Sequence, residues 1–359
     1  MPDVVTLDGS HGDGGGQILR TALSLSMITG RAFRIANIRA SRPNPGILPQ
    51  HLAAVRAAAR ISGATVSGDR LGSAELTFAP SRSPISGTYE FDVADTAQHG
   101  SAGSVTLILQ TLLIPLALTE GASTIVLRGG THVPWSPPFD DIVNAYLPLL
   151  RRMGFRVDAA LKRWGWYPVG GGEVVCSVSA DWGDGYPSRP GSIEMLAPGP
   201  LRRIAGRATA ANLPSHIPQR MADRARVSLA DLGIPLDVQP QRVTAACPGA
   251  GIFLVAEYER IQASFSGHGR IGKPSEAVAD EAVAAFREHH ASGAAVEPHL
   301  ADQLLLPLSL AAGISTFTVA RPTSHLVNNA WTIGRFEVAD ITIQERRPCR
   351  VRVEPRPTR

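Results

Sequence analysis

His325 stands in the stretch RPTSHLVNNAW, residues 321–331, just after an alternating strand-like run. An imidazole there can be a hydrogen-bonded core side chain, a metal ligand or a nucleophile, and residue type alone leaves the three open. No second histidine or cysteine lies at ligand spacing, which weakens the metal reading. A catalytic role gains support if phosphate donors face it. Residues 8–17, DGSHGDGGGQ, place glycines between a short strand and a helix start. Amides at a helix start attract anions, and glycine lets a phosphate come close. The Walker pattern is absent, so this turn is structural as readily as phosphate-binding. Asp13 within it either holds a metal or caps the helix. RASRPNPGILPQH, residues 39–51, concentrates Arg39, Arg42, Gln50 and His51 near the end of a strand, within reach of Arg20. Three arginines are costly to bury without an anion, so a phosphate clamp is favoured over solvated surface arginines.

Two further segments carry polar groups. PHLADQ, residues 298–303, opens a helix with Asp302 and Gln303 in its first turn. The helix dipole favours an early acid, so capping accounts for Asp302, while Gln303 points into a cleft. His132 lies in the Gly/Pro loop RGGTHVPWSPPFDD, and RWGWYPVGGGEV carries a second glycine triplet. A lone loop histidine is seldom a ligand, and the triplet reads as a backbone device.

The elements that must position these groups repeat. Segments starting at Gly14, Gly103 and Pro298 each read as an apolar helix carrying one polar residue, a glycine stop, a strand and a closing polar loop. Arg20, Gln110 and Gln303 are equivalent helix positions, and Gly30, Gly121 and Gly313 the stops. A second amphipathic helix follows in ILPQHLAAVRAAARIS and PFDDIVNAYLPLLRRMG, with SEAVADEAVAAFREHH as its third copy. The wider step from Gln110 to Gln303 leaves room for one extra α+β module. The expected fold is α/β (α+β): three βαβαββ-like repeats around a pseudo-threefold axis with a small inserted domain. The expected divisions are residues 1–187 for two repeats, 188–270 for the insert and 271–359 for the third repeat.

The composition is that of a globular protein, with 44% hydrophobic and 18% charged residues. The apolar run at residues 105–119 is too short for a membrane span and is broken by Gln110 and Pro115. The start has no signal-peptide pattern, and three scattered cysteines propose neither a disulfide framework nor a metal site, so a cytoplasmic protein without membrane contact is expected. Of the 35 basic residues only Lys162 and Lys273 are lysine. Arginine suits phosphates, although codon preference gives the same count. A net charge of +4 is only a weak sign of a polyanionic partner.

Taken together, LDGSHGDGGGQILRTALSLSMITG, RPNPGILPQHLAAVRAA, RGGTHVPWSPP, YPVGGGEV, HLADQLLLPLSLA and PTSHLVNN resemble the RNA 3'-terminal phosphate cyclase family, over about residues 5–340. The resemblance implies ATP-dependent conversion of an RNA 3'-phosphate into a 2',3'-cyclic phosphate. A histidine, His325 through PTSHLVNN, would take AMP from ATP and pass it to the RNA. It also implies ATP contacts at Gln110 and at His299, Leu300, Ala301, Asp302 and Gln303. Asp13 stands where the family has an acid associated with Mg²⁺ or Mn²⁺; here it is aspartate where glutamate is common. Arg20, Arg39, Arg42, Gln50 and His51 resemble residues that bind phosphates or support the reaction. Trp164 departs from the basic residue or histidine common before the second glycine triplet. Two other readings share the fold: a non-catalytic ribosome-biogenesis scaffold, which lacks the nucleophile, and an enolpyruvyl transferase, which relies on lysines scarce here. A basic cleft without a row of aromatics points to recognition of an RNA end rather than a long strand. An exposed sheet edge in the insert would support a homodimer.

Overall fold

The computed structural model describes residues 4–96, 102–179 and 189–357. His99, to which no role is assigned, and the expected division at 187/188 lie outside the described residues. In the first sheet, β1 (Val5–Asp8), β2 (Phe33–Ala36), β3 (Thr65–Ser67) and β4 (Leu76–Ala79) lie in the order β1-β2-β4-β3. The chain crosses through α1 (Gln17–Thr29) after β1 and α2 (Pro49–Ser62) after β2. β1 runs parallel to β2, and β4 antiparallel to both β2 and β3.

The second sheet has the same plan. β5 (Thr88–Asp92), β6 (Ala122–Gly129), β7 (Arg156–Arg163) and β8 (Gly172–Ser179) lie in the order β5-β6-β8-β7 with the same parallel and antiparallel pairs. Its first helix is α3 (Val105–Ala117); its second runs through α4 (Phe139–Asp141), a π turn (Ile142–Tyr146) and α5 (Leu147–Arg152).

The third copy is interrupted. Its first strand, β9 (Glu194–Met195), is followed by a separate sheet: β10 (Leu201–Ala211), α6 (His216–Leu229), β11 (Leu236–Val243), β12 (Gly249–Tyr258), β13 (Gln262–His268) and α7 (Ser275–Ser292). The chain then resumes the repeat with α8 (Pro298–Leu308), β14 (Ser315–Val319), α9 (Ser324–Arg335), β15 (Ala339–Gln344) and β16 (Cys349–Pro355). β9 pairs parallel with β14 at Thr316 and Phe317, so the insertion falls inside the third repeat and not before it. A two-residue strand carries no periodicity to read.

Two expectations change with this. α7 packs on α6, β12 and β13, so SEAVADEAVAAFREHH covers the inserted sheet and is not the third repeat's second helix. An amphipathic stripe says that one face is buried, not against what. The second helix is instead α9, formed by the segment read as a closing loop. Thr323 caps it by accepting the Leu326 N–H at 3.0 Å. Buried Leu326 and Ile333 lie two turns apart, with Asn328 and Asn329, poor helix formers, between them.

The helices close the ring of repeats. α1 packs on α9, α3 on α2, and α8 on the π turn, so each repeat's first helix meets the second helix of the repeat before it. Pro115, inside α3, lacks the N–H that would bond Thr111 O; Ser24 Oγ of α1 donates to that carbonyl instead, at 2.8 Å. Of the glycine stops, only Gly30 caps its helix directly; α3 and α8 end earlier, at Ala117 and Leu308. β11, at one edge of the inserted sheet, carries Asp237, Pro240 and Arg242, a proline and charges that discourage strand addition. The other edge, β13, packs beside the π turn.

Candidate active site

The glycine turn, the start of α8 and the start of α9 meet at one place. His325, in the first turn of α9, has Nε2 3.6 Å from Asp13 Oδ2 and Nδ1 3.7 Å from Asp302 Oδ2. Its side chain is 41% exposed, open enough for a ligand to reach. Burial lowers its pKa below the ordinary imidazole value; Asp13 opposes the shift, while Arg20, His299 and Arg42 add to it. The ring is therefore neutral near pH 7, with a free lone pair.

Asp13 is held by three neighbours. Arg42 Nη2 donates to its Oδ2 at 2.6 Å, Ser324 Oγ to the same oxygen at 3.2 Å, and Asn328 Nδ2 to Oδ1. Gly12, at φ 60°, makes room for this: a Cβ there would fall 2.1 Å from Asn328 Oδ1. Gly16 plays the corresponding part toward α2, because a Cβ on it would fall 2.1 Å from His51 Nε2.

On the other side, Glu297 caps α8 and accepts the N–H groups of His299 and Leu300, each at 2.9 Å. Burial pushes the Glu297 carboxyl up, but its hydrogen bonds and the His299 charge outweigh that and leave it below its ordinary value. Glu297 Oε1, 2.7 Å from His299 Nδ1, raises that imidazole to about 9, so it is a cation near neutrality. Asp302 is pushed up to about 7, first by burial and then by Glu297, against the pull of His299 and Arg20. Arg20 is lowered to about 10 by burial, still a cation at neutral pH, and donates to Gln17 Oε1 at 2.6 Å.

The equivalent residues of the three repeats converge beneath this. Gln110 Nε2 donates to Gln303 Oε1 at 2.6 Å, and both line one small cavity with Arg20, Tyr146 and Asp302. Asn329 ties the floor together: its Oδ1 accepts from Thr21 at 2.6 Å and its Nδ2 donates to Asp302 O at 2.9 Å.

A family model described as RNA 3'-terminal phosphate cyclase matches residues 11–343. The chain belongs to that family. Proteins named RNA 3'-terminal phosphate cyclase are similar to it along nearly their whole length. The one from Methylococcus capsulatus is 51% identical, over 95% of this chain and 93% of its own. That from Gloeothece citriformis is 48% identical over 95% of each chain. That from Ralstonia nicotianae is 42% identical over 97% of this chain and 95% of its own. A solved enolpyruvyl transferase, NikO from Streptomyces tendae, aligns over 97% of this chain and 81% of that chain. Its 12% identity and TM-score of 0.28 are too low to speak for a shared fold.

The candidate residues divide by position. His325, Asp13, Arg20, Arg42, His299, Asp302, Gln110 and Gln303 gather around the opening just described. Arg39 is near enough to Arg42 for the two cations to interact, but its Nη1 donates to Asn44 O and Gly46 O, so it also shapes its own loop. Gln50 Oε1 accepts the Ser104 N–H at 3.3 Å and ties α2 to the start of α3. His51 is buried, and its Nδ1 accepts the Leu48 N–H at 3.2 Å. Burial, with Arg20 and Arg39, holds its pKa well below the ordinary value, so it packs the glycine turn as a neutral ring. Leu300 and Ala301 turn into the core, and their N–H groups are taken by Glu297. At the α8 start, only the His299, Asp302 and Gln303 side chains are left to meet a ligand.

Sequence reasoning missed Glu297, Ser324, Asn328 and Asn329. An acid immediately before Pro298 at a helix start was a usable sign for Glu297; the asparagines gave none. His132 lies elsewhere, buried between Thr131 Oγ1 at 2.7 Å and Asp140 Oδ2 at 2.8 Å. Asp140 also accepts from Nε and Nη2 of Arg207 from β10, at 2.7 and 2.9 Å. Trp164 stacks on His132 and carries Arg207 4.6 Å from its ring centre, so the departing tryptophan joins the second repeat to the inserted sheet. No helix among the described residues is long and apolar enough to cross a membrane.

Proposed function

We propose that this chain is an ATP-dependent RNA 3'-terminal phosphate cyclase in which His325 carries AMP. What supports the reading most is the neutral imidazole at a helix start between Asp13 and Asp302, with Arg20, Arg42 and His299 close by. Nδ1 faces Asp302, which orients the ring, and Nε2 faces the side of Asp13, Arg42 and the glycine turn where phosphates would lie. Nε2 attacks the α-phosphate of ATP; the P–N bond forms and the bond to pyrophosphate breaks. The imidazolium so produced is held by the Asp302 carboxylate. A 3'-phosphate oxygen of the RNA then attacks the same phosphorus, breaking the P–N bond and returning neutral His325. The vicinal 2'-hydroxyl attacks the activated 3'-phosphate, loses its proton to solvent and expels AMP, leaving the 2',3'-cyclic phosphate. Arg20, Arg42 and His299 offset phosphate charge. Gln110 and Gln303 offer amides at the floor.

Asp13 is the residue that would hold Mg²⁺ or Mn²⁺ when ATP is bound. One carboxylate is a small donor set, but such ions are commonly held by one or two carboxylates plus phosphates, and a carboxylate accepts more bonds than Asp13 makes here. The ion would supply charge neutralisation on the phosphates. The three described cysteines are free and buried, in keeping with a cytoplasmic protein.

The test is incubation with α-labelled ATP and Mn²⁺. Wild type should acquire an acid-labile, alkali-stable label and cyclise a 3'-phosphorylated oligonucleotide, and His325→Ala should do neither. An unlabelled wild type, or a His325→Ala variant that cyclises normally, sinks the mechanism.

A further inference from the structure

Trp135 is 95% exposed and sits at φ 61°, in the left-handed region. Neither packing nor backbone preference accounts for a tryptophan there, and a strained, exposed aromatic asks for a ligand. Its loop is closed at the base by the Phe139 N–H on Thr131 O at 3.0 Å. Pro134, Pro137 and Pro138 stiffen it, and Ser136 Oγ donates to Val133 O at 3.1 Å. Thr106 Oγ1 donates to Pro137 O at 2.7 Å, and Thr106 neighbours Ser104, whose N–H donates to Gln50. At the other foot, Asp141 is near enough to Glu297 and His299 to feel their charges. The loop is thus anchored beside the start of α3 and, through Asp141, near the start of α8, and from it the indole projects into solvent.

We propose that Trp135 is a stacking platform for the nucleobase at the 3' end of the RNA. The proposal rests on the cyclase reading. Cations at Arg20, Arg42 and His299 draw the terminal phosphate to the floor, and the attached base is left to project toward solvent. An indole face there holds any base, since every base presents a π-face, and a fixed loop loses little entropy on doing so.

The test uses the full chain and direct binding of a 3'-phosphorylated oligonucleotide, followed by anisotropy, beside the same oligonucleotide with an abasic 3'-terminal nucleotide. Trp135→Ala should weaken binding of the intact oligonucleotide about tenfold, the range for one stacked base, and Trp135→Phe should keep most of the affinity. The abasic oligonucleotide should bind wild type as weakly as the intact one binds Trp135→Ala, with no further loss when both changes are combined. The proposal is overturned if Trp135→Ala binds the intact oligonucleotide normally, or if it loses affinity equally for both oligonucleotides. It is also overturned if the loss is confined to ATP, which would assign the indole to the adenine. Failure of wild type to bind any oligonucleotide sinks the platform, whereas labelling of His325 by ATP judges the cyclase mechanism separately.

Discussion

Replacing Gly16 by alanine tests whether the glycine turn is shaped by His51. Gly16 precedes α1 at φ −71°, which alanine adopts without strain, so any cost comes from the methyl group alone. That methyl carbon would lie 2.1 Å from His51 Nε2 and 2.9 Å from both ring carbons beside it, where 3.4 Å or more is ordinary contact. Ring or turn must therefore shift by about 1.3 Å, the difference between those two distances. His51 is 2% exposed and bonded to the Leu48 N–H, so it cannot swing into solvent. Overpacking of this kind costs about 1–3 kcal/mol, or roughly 2–10 °C in melting temperature for a large domain. The turn carries Asp13, three residues away, and a misplacement of about 1 Å in a site lowers rates on the order of a hundredfold. The assays are thermal unfolding and labelling of His325 by ATP, on Gly16→Ala, His51→Ala and the double variant. If the clash is the cause, Gly16→Ala costs stability in wild type and almost none once His51 is alanine. An equal cost in both backgrounds, or none in wild type, refutes the reasoning.

Other consequences follow from the same geometry. Asp302 is raised to about 7 from an ordinary carboxylate value near 3.8, so between those pH values the folded chain binds more protons than the unfolded one. Stability should therefore fall as pH rises through that window, and Asp302→Asn should flatten the fall in melting temperature; an unchanged profile would show that Asp302 is not the buried acid responsible. Arg207→Met leaves Asp140, whose side chain is 6% exposed, with His132 as its one remaining side-chain partner among the described residues. A loss of about 2 kcal/mol is expected in denaturant titration, below the full range for a buried pair because Arg207 itself reaches solvent; a loss under about 0.5 kcal/mol would mean that the Asp140–Arg207 pair contributes little.

The sequence by itself determined the local elements and their repetition. Apolar periodicity placed α1, α3 and α8, β-branched alternation placed β2, β6 and β14, and the equivalence of Arg20, Gln110 and Gln303 anticipated residues that meet at one floor. These depend on neighbours a few residues apart, which is the range over which periodicity carries information. The motif around His325 could be singled out, but its helix could not, because Asn328 and Asn329 weaken the pattern and find their partners in Asp13, Thr21 and Asp302. Only the tertiary structure decided that α7 covers the inserted sheet, that two residues of β9 begin the third repeat, and that His51 is buried behind Gly16. It alone set the protonation of the site as well. Asp302 and His325 are shifted chiefly by burial, and burial belongs to the assembled repeats rather than to any stretch of chain.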